Sequence, residues 1–227
     1  MENTGDLFTI VQNELARFEK NFPLDSFRAG DYAQHPFATL LTCCDARVPS
    51  TILGDPFNRV FCIENIGNQV RNSQGSVQYG LLHLNTPLML VAGHTDCGAI
   101  KASNSDYQEE PAALKAELDM VKNSLQEGQG ERIAPNQDEA RCYAEMAELN
   151  VDVQINCLRE DKAILKRMEE GRLMVIGLMV DLHNQYGDGY GRIYITNCNG
   201  ITDTESLKKE PALKAAADRI RRLTENK

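Results

Sequence analysis

The chain has 227 residues and a formal net charge of −9, with 42% hydrophobic and 25% charged residues. That length and composition suit a globular protein with a sizeable core. The acidic balance offers no basic surface of the kind that binds nucleic acid or an anionic membrane, so a small-molecule substrate is favoured. No apolar run approaches the roughly 20 residues needed to span a bilayer, and no signal peptide is recognisable. We therefore expect a soluble, cytoplasmic protein.

Hydrophobic periodicity divides the chain into helices and strands. A helix is predicted over residues 7–22, with its apolar side chains on one face, and irregular chain follows up to residue 36. The later predicted helices cover residues 73–84, 112–125, 139–168 and 205–223, and the predicted strands cover 37–42, 59–64, 88–92, 173–181 and 192–196. We interpret residues 139–168 as two helices that meet near Asn150 or Val151.

Strands that alternate with helices predict an α/β fold with a mostly parallel central β-sheet flanked by helices. The glycines of residues 184–191 predict a hairpin, so the last strand is expected as an antiparallel edge strand. A glycine-rich break is expected at residues 128–130. We interpret the chain as one domain overall, in which residues 1–36 form an N-terminal helical arm and residues 37–227 carry the sheet.

Reactive side chains follow two of the predicted buried strands. Cys43 comes directly after the first strand, and His94 and Cys97 follow the third. Because ligands bind outside the carboxyl ends of parallel strands, we expect these residues to lie together. They form a Cys2His set, the ligand number of a catalytic zinc site that leaves a fourth position open. The alternative is that both cysteines are small buried apolar residues and the histidine is a core residue.

Asp45 and Arg47 alternate on the segment after Cys43. Asp45 could accept a hydrogen bond from a metal-bound water, or could bind the metal itself and close the site. Arg47 could hold the Asp45 carboxylate by a bidentate pair and keep it off the metal. The alternative is a structural salt bridge at a strand end. Cys44 is expected to point to the opposite side from Cys43, because consecutive strand residues alternate.

Seven cysteines in a chain of this length argue against a disulfide framework and for reduced thiols. The cysteines outside the candidate site are expected to be buried thiols: Cys62, Cys142, Cys157 and Cys198. His183, beside the late hairpin, is the histidine whose role is least defined by the sequence. Asp96 is interpreted as a turn residue or as a residue that supports the ligands.

Three segments together resemble the β-class carbonic anhydrases. Residues 43–49 match that family's Cys-x-Asp-x-Arg motif, residues 93–99 match its Gly-His-x-x-Cys-Gly motif, and residues 65–68 match its Asn-Ala-Gly-Asn turn. The resemblance runs in order from Ala38 to Thr196. Glu64 departs from the pattern, because a basic residue is usual there. Ile66 replaces the small residue of the turn.

The resemblance implies a zinc ion held by Cys43, His94 and Cys97, with Asp45 as a further ligand only in a closed form. It implies that Asp45 and Arg47 form the catalytic dyad, and that residues 37–227 are the zinc domain. The implied reaction is the reversible hydration of carbon dioxide to bicarbonate by a zinc-bound hydroxide. A homodimer or homotetramer is also implied, while the acidic composition already argues against a nucleic-acid or membrane partner.

Two other functions stay open at this point. Glu64 and Ile66 could reshape the substrate pocket, so a carbonyl sulfide or carbon disulfide hydrolase on the same scaffold is one alternative. The other is a catalytically silent zinc-binding protein with a regulatory or assembly role. A Cys2His alcohol dehydrogenase is disfavoured, because the sequence has no Gly-x-Gly-x-x-Gly segment for a nucleotide.

Overall fold

The computed structural model of the protein describes residues 4–23, 32–129 and 138–224. Contacts within the chain divide it into two compact units, residues 1–35 and residues 36–227. The first unit contains helix α1 (Thr4–Lys20), whose large apolar side chains are exposed: Leu7, Phe8, Ile10, Val11, Leu15 and Phe18. The assignment of residues 1–36 to an arm and of 37–227 to a zinc domain stays a prediction.

The second unit is built on one five-stranded β-sheet. Its strands are β1 (Ala38–Cys43), β2 (Val60–Asn65), β3 (Leu88–His94), β4 (Met174–Asp181) and β5 (Arg192–Cys198). The strand order is β2-β1-β3-β4-β5, and every neighbouring pair is parallel except β4 and β5, which are antiparallel. The predicted α/β fold with a late antiparallel edge strand is therefore confirmed.

Helices follow most of the strands. They are α2 (Gln74–Gln78), which continues as a π-helical turn over Tyr79–His83, then α3 (Gly98–Ser103), α4 (Ala112–Gln129), α5 (Glu139–Glu160), α6 (Lys162–Glu169) and α7 (Thr204–Lys209). Short 3-10 segments lie at Ser50–Leu53, Ile66–Asn68, Arg71–Ser73 and Pro211–Arg219. Within the described ranges, no helix combines the length and the apolar character needed to cross a membrane.

The boundary predicted near Asn150 or Val151 is wrong, because α5 runs without a break through both residues. The Asn150 side chain is buried and satisfied by a distant loop: its amide donates to the Gly67 carbonyl at 2.9 Å and its oxygen accepts from the Gln69 side chain at 2.9 Å. The real boundary is Asp161, whose carboxylate accepts from the first backbone N–H groups of α6.

The predicted break at residues 128–130 falls where α4 ends, at Gln129. Gly128 itself is still helical, and a Cβ there would lie 2.8 Å from the side chains of Leu149 and Val153, so glycine allows α4 to approach α5 closely. Gly130 lies outside the described residues. One further predicted boundary is wrong. The last helix does not extend over 205–223 but ends at Lys209, because Pro211 begins a separate 3-10 segment.

The cysteine predictions are confirmed in part. All seven cysteines are free thiols, and Cys157 and Cys198 are buried. Cys142 is only half-buried, and Cys62 is exposed because it lies on β2, at the edge of the sheet. The prediction that all four are buried is therefore wrong for Cys62.

Helix α5 packs directly on the centre of the sheet through two strand glycines. A Cβ at Gly93 on β3 would lie 2.7 Å from the Val151 side chain, and one at Gly177 on β4 would lie 2.9 Å from it. The Gly177 position is also closed by Asn197, whose Cβ would lie at 2.8 Å. Because interiors are packed without spare volume, an added methyl group forces the helix or the sheet to move.

We expect Gly177→Ala to lower the free energy of unfolding by about 1 to 3 kcal/mol through overpacking. Gly75→Ala is the matched control, because Gly75 lies in α2 and nothing lies within 4 Å of an added Cβ there. Alanine favours a helix, so the control should be neutral or slightly stabilising. Urea unfolding curves of the two variants measure the difference, and equal midpoints would contradict the proposed packing.

Candidate metal centre

Three buried donor groups meet at the carboxyl ends of β1 and β3. Cys43 is the last residue of β1, His94 is the last residue of β3, and Cys97 caps α3 three residues later. The two strands are parallel neighbours, with Thr42 opposite Ala92, so their ends reach the same edge of the sheet. The two sulfurs and a ring nitrogen of His94 all lie within 4.8 Å of one another. The sequence therefore predicted this grouping correctly.

The His94 ring presents one nitrogen to the two sulfurs. Its Nδ1 lies 3.0 Å from the Thr95 carbonyl oxygen, which can only accept, so Nδ1 donates this hydrogen bond. The other ring nitrogen, Nε2, has no hydrogen-bond partner among the residues that the structure describes. A buried imidazole nitrogen beside two thiols suits a metal ion that prefers nitrogen and sulfur ligands.

The Cys43 and Cys97 thiols are hydrogen-bonded to each other. A hydrogen bond from Cys97 lowers the pKa of Cys43, and His94 lowers it further. The hydrogen bond to Cys43 and burial both raise the pKa of Cys97. One sulfur is therefore readily a thiolate, and a bound cation would replace the proton of the other, because metal ligands must be deprotonated.

Asp45 and Arg47 form a bidentate ion pair beside these donors. Arg47 donates from Nε to Asp45 Oδ1 at 2.9 Å and from Nη2 to Oδ2 at 2.8 Å, and its backbone N–H also donates to Oδ1 at 2.9 Å. These bonds hold the pKa of Asp45 well below its usual range, so the carboxylate is ionised at neutral pH. Asp45 Oδ2 lies 3.7 Å from His94 Nε2.

Cys43 is buried at the end of β1, whereas the next residue, Cys44, is exposed. Cys44 lines the same cavity as Cys43 and Asp45, and the orientation predicted for its side chain stays a prediction. Partial desolvation and the neighbouring Cys43 thiol raise the pKa of Cys44. Its sulfur is not one of the three clustered donor atoms.

A cavity of about 320 Å³ lies beside the donor cluster. Its apolar lining residues are Ile66, Ala99, Ala102, Leu114 and Leu118, and the carboxylates of Asp106 and Glu110 also line it. Of the two departures from the family pattern, Ile66 therefore shapes the cavity. Glu64 is exposed on β2 and is not among the described residues that line the cavity.

Asp96 connects the ligand turn to Arg47, which the sequence did not indicate. Arg47 donates from Nη1 to Asp96 Oδ2 at 2.9 Å and from Nη2 to the Asp96 carbonyl at 3.0 Å. Lys101 pairs with the other carboxylate oxygen, and His183 Nε2 lies 3.5 Å from Oδ2. Lys101 and Arg47 together lower the pKa of Asp96 to about 2. Nothing in the sequence pattern pairs residues 47 and 96, so this contact requires the folded structure.

We expect His94→Ala to lose the bound metal, because only two thiols would remain of the three clustered donors. His83→Ala is the matched control, since His83 is an exposed histidine outside the cluster. Elemental analysis of the purified proteins measures metal per chain. Full occupancy in His94→Ala would show that His94 is not a ligand.

Comparison with known proteins places the chain in a family. A family model described as carbonic anhydrase matches residues 38–188. The chain is 26% identical over 173 residues to a carbonic anhydrase of Synechococcus elongatus, covering 70% of this chain but only 62% of that protein. It is 28% identical over 185 residues to a carbonic anhydrase of Pseudomonas aeruginosa, covering 74% of this chain and 80% of the relative.

The fold agrees with that match. Crystal structures of tetrameric β-carbonic anhydrases from Sordaria macrospora superpose with a TM-score of 0.68 and 28% identity, over 87% of this chain and 98% of theirs. The family match extends from the first residue of β1 into the loop after β4, so it contains all three clustered donors together with Asp45 and Arg47. The chain therefore belongs to the β-class carbonic anhydrase family.

Proposed function

We propose that the protein is a zinc-dependent carbonic anhydrase that catalyses the reversible hydration of carbon dioxide to bicarbonate. The observation that carries the proposal is the buried, unpartnered Nε2 of His94, which faces two thiols and lies 3.7 Å from an Asp45 carboxylate oxygen. Family membership supports the same reaction. The site gives no specific support to the two alternatives, which are zinc-dependent hydrolysis of carbonyl sulfide or carbon disulfide and a catalytically silent zinc-binding role.

Cys43, His94 and Cys97 would hold the zinc ion. Zinc accepts two thiolates and one imidazole, and a three-ligand protein site leaves a fourth position open. When bound, zinc supplies Lewis acidity that lowers the pKa of water towards neutrality. Two thiolates formally cancel the charge of the ion, so this ligand set needs help from neighbouring groups to favour hydroxide over water.

Asp45 is the neighbour placed to give that help. Its ionised carboxylate can accept a hydrogen bond from the attacking water and orient an oxygen lone pair towards the carbon of carbon dioxide. Hydration forms one carbon–oxygen bond, moves one pair of C=O π electrons onto oxygen and releases one proton to the buffer. Arg47 keeps the carboxylate in this role, because its three hydrogen bonds oppose movement of Asp45 onto the metal position.

The cavity suits a neutral substrate and an anionic product. The side chains of Ile66, Leu114 and Leu118 offer apolar walls to a small linear molecule without charge. Asp106 and Glu110, which are both exposed, add two acidic residues to the lining of the same cavity, and like charges repel bicarbonate. The lining therefore favours entry of carbon dioxide and release of bicarbonate.

Self-association is part of the proposal. The Sordaria macrospora enzymes, which are 28% identical to this chain, are described as tetrameric, and a homodimer or homotetramer is accordingly proposed here. Light scattering coupled to size-exclusion chromatography measures the assembly, and a monomer at micromolar concentration would contradict it. Cytoplasmic localisation stays a prediction.

We expect Asp45→Asn to keep its metal and to lose turnover by about 100-fold, because the amide is neutral and no longer orients the attacking water as a carboxylate does. Stopped-flow hydration of carbon dioxide measures the rate, and elemental analysis measures the zinc. Asp203→Asn is the matched control: Asp203 caps α7, where asparagine serves equally well.

The same preparations separate the alternatives. Normal turnover in Asp45→Asn would remove this carboxylate from the mechanism. Rapid sulfide release from carbonyl sulfide, with negligible hydration of carbon dioxide by the unmodified protein, would identify a sulfur-analogue hydrolase. Full zinc occupancy without activity on either substrate at any pH would identify a silent zinc-binding protein.

A further inference from the structure

We propose that Asp96 is a positioning residue that holds Arg47 in the orientation that keeps Asp45 off the metal position. The inference rests on the proposed function, because it concerns the open and closed forms of the same site. Asp96 would then be a third member of the Asp45–Arg47 pair. Because Asp96 lies in the turn between His94 and Cys97, this turn would influence whether Asp45 occupies the fourth coordination position of the metal.

The side-chain hydrogen bonds of Arg47 are divided equally between two aspartates. Its guanidinium makes four side-chain hydrogen bonds, two to Asp45 and two to Asp96. The Arg47 side chain is 46% exposed, and an isolated ion pair at such a surface is weak because water competes for both partners. Asp45 accepts from Nε and Nη2, and Asp96 accepts from Nη1 and Nη2, so two adjacent edges of the guanidinium are held. A single bidentate pair would leave the guanidinium free to move together with Asp45.

The backbone of Asp96 explains why both of its acceptors face Arg47. Asp96 has φ +59°, in the left-handed region, which aspartate tolerates better than most residues. This conformation turns the carbonyl and the carboxylate to the same guanidinium. Lys101 takes Oδ1 and so leaves Oδ2 for Arg47. Asp96 therefore presents a fixed acceptor pair instead of a freely rotating side chain.

The sheet anchors this turn. Thr95 is fully buried, its backbone N–H donates to the Val180 carbonyl at 3.0 Å, and its hydroxyl accepts from the Leu182 backbone N–H at 2.8 Å. The same hydroxyl donates to the buried carboxylate of Asp181 at 3.3 Å. The residue before Asp96 is thus tied to the end of β4, so Arg47 is tied to the sheet through Asp96.

A fixed Arg47 changes what Asp45 must do to reach the metal. With Arg47 anchored, Asp45 must break its three hydrogen bonds to Arg47 before it moves. Without the Asp96 acceptors, Arg47 can swing away or follow Asp45, and the closed form becomes more populated. Asp96 thereby sets the balance between an open site and an Asp45-ligated one.

The test compares Asp96→Gly and Asp96→Asn in the cobalt-substituted protein, where the visible absorption spectrum reports the fourth ligand. Glycine retains the positive φ and the backbone carbonyl but removes the carboxylate. Asparagine retains one oxygen acceptor and tolerates the same φ, so it is the conservative variant. Asp218→Asn is the matched control, an exposed aspartate on the 3-10 segment Pro211–Arg219.

We expect Asp96→Gly to shift the cobalt spectrum to a form that no longer changes between pH 6 and 9, because a carboxylate has replaced water as the fourth ligand. Turnover of the zinc form should fall about tenfold with little change in KM, as expected for loss of a charge-assisted hydrogen bond. Asp96→Asn should lie between Asp96→Gly and the unmodified protein, and Asp218→Asn should match the unmodified protein.

A double variant decides whether the effect acts through Asp45. Adding Asp45→Asn to Asp96→Gly should abolish the spectral shift, because no carboxylate remains to reach the metal. An unmodified spectrum and rate in Asp96→Gly, or a shift that persists in the double variant, would overturn the role of Asp96. Failure of the proposed function is a separate result, since it appears as absence of carbon dioxide hydration by the unmodified zinc protein.

Discussion

One buried nitrogen is the constraint around which the second unit is arranged. A buried polar atom without a partner costs about 1 to 3 kcal/mol, and Nε2 of His94 has no partner in the described part of the chain. The sheet holds it in this position, because β3 is paired on both sides, by β1 and β4, up to its last residues. Gly93 completes the arrangement by letting α5 pack against the strand beside the ligand. A metal ion bound between His94 and the two sulfurs would remove this cost.

Buried amide groups link the helices to the cavity. Asn150 and Gln154 of α5 bond to Gln69, and Ser124 of α4 donates to Gln69 as well. This network fixes the loop that begins at Ile66, a lining residue of the cavity. Satisfied polar networks in a low-dielectric interior are rigid, so the cavity wall is set by contacts between α4, α5 and the loop.

The sequence predicts the parts of the site that depend on strand order. Cys43 and His94 could be placed together because parallel neighbours end at one edge, and the spacing from His94 to Cys97 is local. The midpoint of α5 was predicted wrongly because Asn150 has the same appearance in a sequence whether it ends a helix or bonds a distant loop. The break predicted at residues 128–130 does coincide with the end of α4, but the close approach of Gly128 to α5 depends on packing that the sequence does not show. The contact between Arg47 and Asp96 depends on a backbone conformation that no periodicity encodes.

The charged side chains around the candidate metal centre affect the binding of the proposed substrate, carbon dioxide, and of the proposed product, bicarbonate, in different ways. Asp45 and Asp96 carry two negative charges, and Arg47 and Lys101 carry two positive charges, so these four groups cancel. Two thiolates likewise cancel the proposed zinc ion. A neutral molecule therefore enters without opposing field, whereas an anion finds no net positive charge to hold it and meets the cavity carboxylates of Asp106 and Glu110. The same hydrogen bonds that are proposed to keep Asp45 off the metal also prevent Arg47 from binding an anion, because the Arg47 donors already bond to Asp45 and Asp96.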